Sequence, residues 1–202
     1  MAVSKRMIVG ISGASGIIYG IRLLQVLKHL DVETHLVMSK SAEVTLAHES
    51  DMKVSVLKAL ASAAYSNSDI GAAISSGSFQ TQGMIVAPCS IRTVSEIAYG
   101  VTSSLLSRSA DVVLKERRRL VLMVRESPLH TGHLSTLKKA SEIGAIIAPP
   151  VPGFYAKPQS LDDLVDHTVG RALDLFDIDA GLVKRWGGGR EARGFRSKNR
   201  KK

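Results

Sequence analysis

The chain contains one cysteine, Cys89. An internal disulfide framework is therefore excluded, and a reducing compartment is expected. No apolar run approaches the roughly 20 residues that a membrane span requires. The opening stretch from Met1 to Arg6 is basic but lacks the apolar core and cleavage site of a secretory leader. These absences predict a soluble chain of the cytoplasm with no membrane partner. No G-x-S-x-G or Ser-His-Asp context occurs, and there is no internal repeat. His130 and His133 lie three apart after Pro128 without further ligand spacing, so no metal site is expected.

An acidic excess is also missing: the formal net charge is +9. The surplus sits at one end. Residues 184–202 hold nine Lys or Arg against one acid, Glu191, whereas residues 1–183 hold 18 bases and 17 acids. The body is nearly neutral, so nucleic acid is not its expected partner. Residues 187–202, Gly-rich, basic and short of apolar side chains, are expected to form a flexible tail. One folded domain is expected over residues 1–186. The run Lys115-Glu116-Arg117-Arg118-Arg119 reads as a solvated helix end or as ion pairs between subunits.

What is present is ample material for a core. Hydrophobic residues make up 45% of 202 positions, which suits one α/β domain. Apolar runs over 7–11, 34–38, 84–87, 120–124 and 145–148 read as five strands. Helical patterns lie between them: Ile17, Ile21, Leu24 and Leu27 on one face, then 42–48, 54–63, a stretch from Ser90 to Tyr99, 134–143 and 161–175. Gly100 suits a left-handed helix end. Strands alternating with helices predict a doubly wound parallel sheet in a three-layer α/β/α sandwich, flavodoxin-like or Rossmann-like.

In such a sheet, ligands lie beyond the carboxyl ends of the strands, where helix N-termini offer unpaired N–H groups. Polar residues recur at those ends: Ser12 to Gly16, Ser39, Cys89-Ser90 and Arg125-Glu126. They are expected to converge. The first loop is not a G-x-G-x-x-G fingerprint, because Ser12 stands at the second glycine position, and no Gly-Lys-Ser/Thr follows. NAD is therefore disfavoured. A small-residue loop can still cradle one phosphate or a flavin edge, with a plain strand-to-helix turn as the other reading. Ser90-Ile91-Arg92-Thr93 fits a phosphate-holding turn and an ordinary helix cap alike. Cys89 reads as a buried thiol at a strand end rather than a nucleophile.

Taken in order and spacing, several segments resemble the UbiX-type flavin prenyltransferases, including the small subunits named for phenolic acid decarboxylases. They are Gly10-Ile11-Ser12-Gly13-Ala14-Ser15-Gly16, Ser39-Lys40, Ser75-Ser76-Gly77-Ser78, Pro88-Cys89-Ser90, the run from Arg108 to Arg118, Arg125-Glu126, Gly153-Phe154-Tyr155 and Arg171. The resemblance covers residues 7–186. It implies a dodecamer with FMN between subunits. By that likeness Gly13, Ala14, Ser15, Ser39, Ser90, Ile91, Arg92, Thr93 and Arg125 bind FMN. Tyr155 and Arg171 grip the phosphate of dimethylallyl phosphate together with Arg108 and Lys115, and Glu49 and Glu126 are the acids beside the reacting centre. Trp186 is expected to help close the substrate pocket.

The implied reaction is a metal-free allylic substitution: reduced FMN attacks through N5, phosphate leaves, and a ring closes onto flavin C6. Either Glu126 or the departing phosphate takes the C6 proton. The implied recipient of the prenylated FMN is a UbiD-type decarboxylase. Two other enzyme readings remain beside this one, an FMN-dependent aromatic acid decarboxylase and a cysteine decarboxylase. A non-enzyme reading would use the basic tail to bind a partner.

Overall fold

The computed structural model describes residues 6–185. Six strands form one parallel sheet: β1 (Arg6–Ile11), β2 (Glu33–Met38), β3 (Ala63–Tyr65), β4 (Gly83–Cys89), β5 (Arg119–Val124) and β6 (Ala145–Ile147). Their spatial order is β3-β2-β1-β4-β5-β6. The chain thus winds outward from β1 in one direction, then returns to start again at β4. The crevice between β1 and β4 is the switch point at which such sheets place ligands.

Side chains alternate across the sheet, because successive residues of a strand face opposite ways. Met7, Val9 and Ile11 of β1, Ile85 and Ala87 of β4, and Val121 and Met123 of β5 face one core. That core is covered by α1 (Ile17–His29), α2 (Lys40–Glu49), α3 (Val54–Lys58) and α7 (Leu161–Asp174). Ile8, Met84, Val86, Leu120, Leu122 and Val124 face the second core. There α4 (Ile91–Ala98), α5 (Leu105–Lys115) and α6 (Thr131–Glu142) pack. Each fully buried Leu, Ile or Met contributes about 1.5–3 kcal/mol over its exposed form.

The doubly wound class is as expected, with three departures. The helix expected over 54–63 stops at Lys58, and residues 63–65 form the edge strand β3. Helix α5 occupies a stretch that the apolar pattern leaves unassigned. Strand β4 continues through Pro88 to Cys89, with its pairing to β5 shifted between Val86 and Cys89. Gly100 and Gly144 take positive φ, 67° and 108°, just after helix ends. Among the described residues no helix is long and apolar enough to cross a membrane. Trp186 and the tail lie outside the described residues.

Candidate active site

The carboxyl ends of β1, β2, β4 and β5 open into one cleft of about 650 Å³. Gly13, Ala14, Ser15, Ser39, Ser90, Ile91, Arg92, Thr93, Arg125 and Glu126 all line it. Ten candidate residues from four distant segments therefore meet in one place.

Backbone stitching brings them together. The Ser12 N–H and Oγ both donate to the Pro88 carbonyl, at 3.1 and 3.2 Å, and Ser12 Oγ accepts from the Ser90 N–H at 2.7 Å. Ser12, fully buried, is thus a bolt across the β1–β4 crevice rather than a ligand-facing hydroxyl. The Ser39 N–H donates to Ile11 O at 2.9 Å, and the Arg125 N–H to Cys89 O at 3.0 Å. Gly13 lets the first loop lie against α2. A Cβ there would fall 2.2 Å from Ser41 Cβ, closer than any real contact.

Four helices start around this cleft, and they end differently. The N–H groups of Gly16 and Ile17, at the start of α1, donate to Glu49 Oε2 at 2.8 and 2.9 Å. A carboxylate of the chain's own thus occupies the place where doubly wound dinucleotide folds seat a pyrophosphate. At α5, Leu105 N–H donates to Asn67 O at 2.8 Å and Leu106 N–H to Asn67 Oδ1 at 3.0 Å. Helices α2 and α4 remain more open. Ser39 Oγ accepts from the Ala42 N–H at 3.1 Å and Ser90 Oγ from the Thr93 N–H at 3.3 Å. The first two residues of each helix, Lys40-Ser41 and Ile91-Arg92, line the cleft. N–H groups in a helix's first turn have no intrahelical acceptor, so these starts suit an anion.

The charges follow. Burial raises the Glu49 pKa, but hydrogen bonds from Ser15, Ile17 and Gly16 and the charge of Arg125 outweigh it, leaving the carboxyl below its ordinary value. Glu49 is therefore an anion beside the cleft, locked to α1. Glu126 lines the cleft and accepts from the Ser127 N–H at 3.2 Å. Arg92 is exposed and pairs with Glu96 at 3.0 Å. Cys89 is fully buried, and burial pushes its thiol far above the ordinary value, so it is no nucleophile.

The remaining candidates lie elsewhere on the chain. Tyr155 and Arg171 share a second cleft of about 300 Å³, between the segment after β6 and α7. Arg171 donates to Asp174 at 2.7 Å, and Asp174 also takes two bonds from Arg185. Arg108 and Lys115 stand on α5, paired with Asp111 at 3.1 Å and Glu116 at 2.6 Å. Neither residue lines the first cleft or the second. One chain therefore holds its cleft loops together but keeps its phosphate-gripping candidates apart.

Other sequence features find structural employment. His130 Nδ1 accepts from the N–H groups of Gly132 and His133 at 3.0 and 3.3 Å, which makes it the cap of α6. Arg118 donates to the carbonyls of Phe79 and Gly77, and Arg119 pairs with Asp177 at 2.6 Å. The basic run at 115–119 thus pins loops of its own chain. Asn67, Ser41, Ser103 and Ser104 line the cleft unforeseen. Of these, only Ser104 carries a local sign, a hydroxyl just before the apolar pair Leu105-Leu106 that caps α5.

A cleft at the switch point of a doubly wound sheet, rimmed by small residues and open helix starts, suits a bound phosphate-bearing group, and the Flavoprotein family model matches residues 1–173. The class is that of the flavoproteins. The chain is 59% identical over 187 residues to flavin prenyltransferase UbiX of Escherichia coli (strain K12), covering 91% of this chain and 99% of that one. It matches the crystal structure of AnUbiX (PadA1) in complex with FMN and dimethylallyl pyrophosphate with TM-score 0.90 at 50% identity, over 92% and 99% of the two chains. A dodecameric FMN-dependent UbiX-like decarboxylase from Escherichia coli O157:H7 matches with TM-score 0.88 at 46% identity, over 91% and 100%. This chain belongs to the UbiX family of flavin prenyltransferases.

Proposed function

We propose that this chain, one FMN-binding domain over residues 1–186, transfers a dimethylallyl group from dimethylallyl phosphate to reduced FMN. It works in the cytoplasm as a homo-oligomer, a dodecamer, and passes the prenylated FMN to a UbiD-type decarboxylase. The observation that carries this reading is the 650 Å³ cleft with its unequal helix starts. Two starts are closed by Glu49 and Asn67, and two, those of α2 and α4, face the cleft.

The residues fit FMN. A single phosphate, not a pyrophosphate, suits the start of α4, where Ser90, Ile91, Arg92 and Thr93 would hold it through N–H groups, hydroxyls and a guanidinium. Gly13, Ala14 and Ser15 would lie along the ring system, with Ser39 and Arg125 completing the contact. When bound and reduced, FMN supplies the nucleophilic N5 and the second acceptor carbon, C6.

The chain's own task is charge. A phosphate must leave an allylic carbon, and Arg171, Tyr155, Arg108 and Lys115 would meet it with cations and a phenol donor. Arg offers a planar fork to phosphate oxygens, and Lys a compact charge that can pass a proton. Glu126, at the cleft wall, or the departing phosphate would take the proton from C6, and Glu49 holds the loop around Ser15 with its negative charge. Because the first cleft and the phosphate grip are separate on one chain, neighbouring copies bring them together.

The test is to reduce the FMN-loaded protein without oxygen, add dimethylallyl phosphate and weigh the flavin. A gain of one dimethylallyl unit is expected. Arg171→Ala should lower the rate about 10²–10³-fold, the typical loss for one donor to developing charge. FMN that binds yet gains no mass would overturn the reading. Release of CO2 from an aromatic acid or a cysteine substrate by the purified protein alone would replace it with a decarboxylase.

A further inference from the structure

Beside Tyr155 and Arg171 stands a histidine to which the proposed reaction gives no part. His167 lies on α7 four residues before Arg171, a spacing that puts both on one helical face. All three line the 300 Å³ cleft. His167 is 8% exposed, whereas Tyr155 is 47% exposed. The Tyr155 hydroxyl and His167 Nε2 are 3.0 Å apart, and the two rings meet edge to face with centroids 5.4 Å apart.

The backbone is fitted to this pair. Tyr155 is carried by a three-residue 3-10 turn, Phe154–Ala156. At its start, a Cβ on Gly153 would lie 2.9 Å from His167 Cε1 and 3.2 Å from Tyr155 Cε1. A side chain at Gly153 would therefore press on both rings of the pair. The histidine is nearly buried and its Nε2 is engaged by the phenol, so its hold on a ligand in the cleft runs through Tyr155.

We propose that His167 is a positioning residue, whose Nε2 holds the Tyr155 phenol in the cleft that Arg171 also lines, giving the prenyl donor's phosphate a preset grip. This rests on the reading of Tyr155 and Arg171 as that grip. A phenol already held in place loses less rotamer freedom when the phosphate arrives, so the effect falls on donor affinity. His167→Phe keeps the ring and removes the hydrogen bond, and His167→Gln keeps a side-chain amide near the same point.

The test uses the FMN-loaded full chain and measures dimethylallyl phosphate binding by calorimetry with oxidised flavin, alongside kcat and KM after reduction. For His167→Phe the donor Kd and KM should rise about tenfold, the scale of one hydrogen bond. FMN affinity should hold, kcat should move less than about twofold, and His167→Gln should recover most of the loss. Tyr155→Phe should show a similar rise, and Tyr155→Phe with His167→Phe should be no worse than Tyr155→Phe alone. Should His167→Phe not fold, His167→Asn, too short to reach the phenol, is expected to give the same loss. Wild-type donor affinity in the His167 variants, or additive losses in the double variant, would overturn the inference while Tyr155→Phe remains impaired. Unchanged donor affinity in Tyr155→Phe would overturn the grip and the inference together.

Discussion

At the residue scale the most informative side chain is Glu49. Read alone it is a surface acid, yet its carboxylate accepts both N–H groups at the start of α1. It thereby fills the start of α1 with a carboxylate of the chain's own, whereas the starts of α2 and α4 line the cleft. Its pKa lies below the ordinary 4.5: burial opposes this, and the hydrogen bonds from Ser15, Ile17 and Gly16 with the Arg125 charge prevail. A carboxyl with a depressed folded pKa adds stability above its unfolded pKa, and that contribution is lost as pH falls through the folded value. Glu49→Gln should therefore lower stability by about 0.3–1 kcal/mol at neutral pH, the range for an exposed carboxylate at a helix start. The gap between wild type and variant should shrink once the pH drops below 4.5. Urea unfolding across pH 3–7 checks it, and a gap that widens on acidification would refute the assignment.

At the element scale, legibility followed the way each element is held. Strands β1, β2, β4 and β5 were readable because they are buried on both faces and carry long apolar runs. Strand β3 was not: it is Ala63-Ala64-Tyr65 at the sheet edge, held by backbone pairing to His35, Leu36 and Val37. Helix α5 hid its apolar stripe, because Ser107 and Ser109 are also buried. The cleft loops were readable as polar residues at strand ends. Closure of α1 by Glu49 and of α5 by Asn67 was not, since those bonds span 33 and 39 residues. Asn67→Ala would leave the Leu106 N–H, on a residue 2% exposed, without its acceptor. An orphaned buried donor costs about 1–3 kcal/mol. Thermal unfolding should then fall by about 2–4 °C per kcal/mol for a domain of this size. An unchanged melting temperature would mean that Asn67 is not what holds the start of α5.

At the scale of the whole molecule, one chain does not bring all of its candidate residues to one place. The FMN candidates meet in one cleft, whereas Tyr155 and Arg171 line another and Arg108 and Lys115 neither. Large apolar side chains stand uncovered by their own chain, among them Leu161 at 80%, Val151 at 74% and Phe154 at 70% exposed. Two of these, Val151 and Phe154, flank the segment that carries Gly153. Copies that cover those side chains could also carry Arg171 of one chain to the cleft of another. That arrangement has a quantitative signature. Gly13→Ala disables the cleft by forcing its loop off Ser41, and Arg171→Ala disables the grip. Each variant alone should be nearly inactive. Co-assembled at random in equal amounts, about one site in four would draw an intact cleft and an intact grip from different chains. Prenylated flavin should then form at about a quarter of the wild-type rate in the mixed oligomer, isolated through two separable tags. If each chain supplied its own grip, no mixture could place an intact Arg171 beside an intact cleft, and the activity would stay at the level of the parents.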